Sequence, residues 1–70
     1  MMDTAEVRAY MGRKHLSAAA LGRSITVAES TVRNWLKTGN CDVVHAAMIA
    51  GVLEIPDHMI KPIFFTKHVA

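Results

Sequence analysis

Five large apolar residues, Leu21, Ile25, Val27, Val32 and Trp35, most constrain what this chain can fold into. Their successive spacings are four, two, five and three. A single helix buries residues that recur at i, i+3, i+4 and i+7, and Val27 and Val32 break that rhythm. Two short helices with a bend near Thr26 bring all five to one inner face. The spacing therefore predicts a helix-turn-helix, in which two helices meet steeply across a turn of about three or four residues.

The flanks read as what holds that unit together. Asp3-Thr-Ala-Glu6 has a helix-capping form, and Val7, Tyr10 and Met11 follow as an apolar stripe. Helix one is expected over about Thr4 to Met11, ended by Gly12. Ser17 caps helix two, whose Ala18-Ala-Ala segment favours helix and leaves a flat surface. Gly22 extends that surface, and a close approach by the next helix explains a glycine there. Thr26 occupies the turn. Helix three is expected from Ala28 to Lys37, with Gly39 as its stop. Thr26-Val-Ala-Glu29 is a competing capping box that would start it two residues earlier.

Asn40 or Asp42 caps helix four, expected from Val43 to about Glu54. Val44, Ala47, Met48, Gly51 and Val52 form one apolar line on it, and Val43, Ala46, Ala50 and Leu53 nearly complete the circle. A helix apolar almost all round is buried on more than one side, here by the core and by another subunit. His45 in that setting reads as a packed side chain with one hydrogen bond. Asp57 is expected to cap a short turn through Ile60, and Pro62 to interrupt any helix that follows. The β-branched and aromatic segment Ile63 to Val69 suggests a short strand or arm. Ile63, Phe64 and Phe65 either close the core or make a dimer contact.

The chain is thus expected to be one all-α domain over residues 1–70. It has four to five helices around a central helix-turn-helix at about 17–37, with a core or dimer segment at about 42–70. Its 70 residues give a small core that a second copy would help stabilise, so a homodimer is expected. The lone Cys41 cannot form an internal disulfide, which suits a reducing cytoplasm. The four histidines lack cysteine partners at zinc spacing, so no metal is expected. The longest apolar run, Ala46 to Leu53, falls well short of the roughly 20 residues that cross a bilayer. Asp3 and Glu6 stand where a signal peptide would need positive charge. Neither a membrane nor a small-molecule ligand or cofactor is expected as a partner.

Charge is unevenly placed. Between Arg8 and Asn40, six basic residues face Glu29 alone, a local charge of +5. Outside that window two lysines face five acids, a charge of −3. The positive charge coincides with the bend, and a polyanion is the natural partner for it.

Leu21-Gly22, Ile25-Thr-Val27, Ser30-Thr-Val-Arg-Asn-Trp-Leu36 and Gly39 together resemble the helix-turn-helix of phage Cro and phage repressor proteins. The resemblance is close over Ser17 to Gly39, and the layout of surrounding helices fits most of the chain. It implies that the second helix of the pair enters the major groove of a double-stranded DNA operator. It also implies that Ala28, Glu29, Ser30, Arg33 and Asn34 face the bases. Arg33 suits guanine, Asn34 suits adenine, Ser30 suits either, and Glu29 suits the cytosine amino group. Arg13, Lys14, Ser17, Arg23, Lys37, Thr38 and Asn40 would hold phosphates. Two positions depart from the pattern. Ala28 replaces a capping serine or threonine, and Glu29, an acid that repels phosphate, replaces a common glutamine.

The leading expectation is a small Cro-like transcriptional regulator of phage or prophage type, binding as a homodimer. A second reading is a helix-turn-helix that binds protein, such as a phage inhibitor of a host regulator or an antitoxin. Catalysis is not expected, because no paired carboxylates, activated nucleophile or phosphate loop is present.

Overall fold

The computed structural model describes residues 1–65, and these form an all-α fold of five helices. Helix α1 spans Thr4–Arg13, α2 Ala18–Ser24, α3 Glu29–Thr38, α4 Val43–Val52 and α5 Asp57–Phe64. Three starts follow their capping residues. Asp3 accepts from the Glu6 N–H, Ser17 from the Ala20 N–H and Asp42 from the His45 N–H. Asp42, not Asn40, is the cap of α4.

Helix α3 packs chiefly on α2 and also on α1, while α5 returns to α1. Leu21, Ile25, Val32 and Trp35 lie in one buried cluster with Val7, Met11, Leu36, Ile49, Leu53, Ile63 and Phe64. Val27 packs against that cluster half-buried. The bend at Thr26 does bring the apolar set to one side. Gly22 lets the chain leading into α3 lie close against α2: a Cβ added there would lie 2.5 Å from the Val27 carbonyl oxygen.

Helix ends differ from expectation. Gly12 does not stop α1, which runs on to Arg13. The chain reverses at His15, whose φ is +55°. The His15 N–H donates to Gly12 O and the Leu16 N–H to Met11 O. This pair of bonds is a Schellman closure, which satisfies terminal carbonyls through one left-handed residue. Thr26 (φ +60°) closes α2 in the same way, with Val27 N–H donating to Gly22 O. Glu54 (φ +54°) closes α4, with Ile55 N–H donating to Ala50 O, so α4 ends two residues before its expected limit. Because Thr26 is spent on the turn, the competing capping box is unused. Ala28 caps α3 with no side-chain bond, and α3 runs from Glu29 to Thr38 rather than Ala28 to Lys37.

The carboxyl end is a correction. Residues 57–64 form one helix with Pro62 inside it, where a short turn and then a strand or arm were expected. Pro56, not Asp57, is its cap. Met59, Ile60, Ile63 and Phe64 recur at helical spacing and meet the core, and that burial outweighs the local preference of the segment. Ile63 and Phe64 are therefore core residues, 1% and 4% exposed, and are not available as dimer contacts. Phe65 alone of the three is exposed. Residues 66–69 of the expected strand lie outside the described residues.

The amino terminus also enters the fold, which the sequence did not suggest. Met2 is buried, its N–H donates to Gly39 O at 2.8 Å, and the Asp3 N–H donates to Ile63 O. Gly39 itself has φ +78° and lies against Met1 and Met2.

Candidate nucleic-acid interface

Helix α3 divides cleanly into two faces. Val32, Trp35 and Leu36 are buried, while Glu29, Ser30, Arg33, Asn34 and Lys37 are exposed on the opposite side. The inward residues fix the helix against α2, so the outward ones project from a rigid support. Ala28 is exposed just ahead of the first turn. All five residues expected to face bases thus share one accessible surface.

Glu29 and Arg33 engage each other. Arg33 Nε donates to Glu29 Oε2 at 2.7 Å, one helical turn apart. Both side chains are well exposed, and such a pair contributes only about 0.3–0.5 kcal/mol. It is weak enough to open when a better acceptor arrives. Until then it orients the guanidinium and lowers the net charge of the first turn.

The residues expected at phosphates fall into two groups. All seven are exposed, and Arg23, Lys37 and Asn40 make no side-chain bond among the described residues. Ser17, Thr38, Lys14 and Arg13 are already engaged within the fold. Ser17 Oγ accepts from the Ala20 N–H, and Thr38 Oγ1 donates to Asn34 O and accepts from the Asn40 N–H. Lys14 forms an ion pair with Glu54, and the Arg13 guanidinium lies 4.6 Å from the Tyr10 ring centre. Ser17 and Thr38 act first as helix-end residues.

Arg8 has no role in the sequence-based assignment beyond its charge. Its guanidinium reaches the Leu36 carbonyl oxygen at 3.5 Å, near the end of α3. Arg8 and Arg33 line a cleft of about 280 Å³ together with Met11, Ala18 and Leu36. One cation from α1 and one from α3 therefore flank the start of α2. No local pattern announces this, because the bond that holds Arg8 here reaches Leu36, 28 positions away.

On the far side of Trp35, the His45 ring lies 5.2 Å away at 38°. Its Nδ1 is 2.7 Å from Asp42 Oδ1. The His45 side-chain contact, then its backbone N–H, holds the Asp42 carboxyl below its ordinary value. His45 is thus a packed histidine tied to a cap. Burial, with Asp42 adding to it, pushes the Cys41 thiol up to about 11, so it stays protonated and a poor ligand or nucleophile. Among the described residues no three His, Cys, Asp or Glu side chains gather as a metal site. No helix among them is long and apolar enough to cross a membrane.

Comparison with protein-family models, curated proteins and solved structures finds no match for this chain.

Proposed function

We propose that this protein binds double-stranded DNA in a sequence-specific way and acts in the cytoplasm as a small transcriptional regulator, similar to phage Cro and repressor proteins. One observation carries the proposal: α3 buries Val32, Trp35 and Leu36 and presents Ser30, Arg33, Asn34 and Lys37 on its free face. A helix so mounted fits the major groove, where its side chains meet base edges. Arg33 forks onto guanine O6 and N7 after releasing Glu29, and Asn34 pairs with adenine. Lys37, Arg23 and Arg8 meet phosphates, which set register and orientation without reading sequence.

The test is a titration of the protein onto DNA flanking its own gene, with random DNA as competitor, at several salt concentrations. Tight binding that prefers one sequence and weakens steeply with salt is expected. Binding no tighter than to random DNA would overturn the proposal. The Glu29–Arg33 pair favours a second reading, a helix-turn-helix that binds protein, because it reduces positive charge where the groove would be met.

A further inference from the structure

Helix α4 carries no Asp, Glu, Lys or Arg along Val43–Val52, yet the core covers only one side of it. Ala46, Ile49 and Ala50 point inward with Leu53. On the other side Val43 and Val44 are 64% and 67% exposed and Met48 is 44% exposed, with Ala47 and Gly51 beside them. Gly51 needs a reason. A glycine within a helix costs about 1 kcal/mol relative to alanine. Nothing lies within 4 Å of where its Cβ would be, and φ there is not positive. Neither packing among the described residues nor backbone conformation requires it.

We propose that a second copy of this chain docks here, with α4 crossing its counterpart antiparallel about a two-fold axis between residues 47 and 48. Such an axis sets each residue opposite a fixed partner in the other copy. Met48 then faces Ala47, Val44 faces Gly51, and Val43 faces Val52, which is half-buried against the core at the edge of the stripe. Each large side chain meets a small one, except at the outermost pair, where valine meets valine. This alternation makes the face complementary to itself. The absence of charge along the stripe removes self-repulsion, and the small residues allow the two axes to approach within about 8–10 Å. The apolar patch is on the order of a few hundred Å². Two such patches give an interface at the low end of specific ones, below about 1,200 Å². Association is therefore weak and depends on concentration. This assigns the expected homodimer to α4 rather than to Ile63 and Phe64.

The experiment is sedimentation equilibrium of the full chain without DNA, up to the millimolar range, so its outcome is separate from that of the DNA proposal. The native chain should equilibrate between monomer and dimer. Ala47→Glu and Met48→Lys should each weaken dimerisation by at least about tenfold, and mixing the two variants should restore it. Both positions are exposed, so circular dichroism should show each variant folded as before. Gly51→Ala should raise the thermal midpoint yet weaken the dimer severalfold, a split that a purely structural role would not produce. A native chain that stays monomeric throughout would overturn the proposal. So would single variants that dimerise as tightly as the native chain, or a mixture that fails to recover association.

Discussion

Thr26 sits where the two helices of the motif part, with a φ of +60° that a β-branched side chain resists. Glycine adopts that backbone without strain. Thr26→Gly should therefore stabilise the fold by about 1 kcal/mol, read as a rise in the urea midpoint at unchanged slope. A loss of stability would show that the Thr26 side chain holds the turn. Gly22, five residues before the Val27 N–H that it accepts, has the opposite character. A methyl group there would strike the Val27 carbonyl oxygen, part of the backbone that leads into α3. Gly22→Ala should cost about 2 kcal/mol despite the better helix propensity of alanine. Thermal melting of the two variants side by side checks both signs. Gly22 was legible in the sequence as a close approach, because its helical neighbours gave it no other reason. Thr26 was legible as the turn, but its left-handed backbone was not, since nothing about threonine suggests it.

At the scale of elements, helix starts were easier to read than helix ends. Asp3, Ser17 and Asp42 are capping residues that act within three positions, so local sequence suffices. The ends of α1, α2 and α4 rest on His15, Thr26 and Glu54, each followed by an apolar residue that packs inward. That packing is tertiary, and it overrides the rule that glycine marks the stop. Helix α5 was misread for the same reason, because Ile63 and Phe64 gain their burial from α1 and the core rather than from neighbours in sequence. The cap of α4 yields a pH prediction. Asp42 has a folded-state pKa lowered from 3.8, so its contribution is present above that value and is lost as pH falls through the folded one. The gap in thermal midpoint between the native chain and Asp42→Ala should be widest near neutral pH and should narrow below about pH 4. A gap that stays constant down to strongly acid pH would show that the charge of Asp42 adds nothing to the cap.

For the whole molecule, the sequence oriented α3 but did not set every side chain around it. The +5 window and the inward set at Val32, Trp35 and Leu36 were sufficient to orient α3. Only the fold sets Arg8 beside Arg33, and only the fold gives the exposed Lys14 an ion pair with Glu54. These differences shape how binding should respond to salt. Each phosphate contact releases condensed counterions, so the slope of log affinity against log salt counts such contacts at about 0.9 per contact. Lys37, exposed with no acid engaged to it among the described ion pairs, should count as one of them. Lys37→Ala should therefore weaken all DNA sequences alike and reduce the slope by about 1. Arg33 differs, because its guanidinium must leave Glu29 to reach a base. Arg33→Ala should cost about 1–3 kcal/mol on the preferred site and little on random DNA, blurring preference at one base pair. Fluorescence anisotropy with both DNAs across a salt series measures the two effects together. If Arg33→Ala instead weakens preferred and random DNA equally, Arg33 is a phosphate contact, and sequence reading by the face of α3 loses its main support.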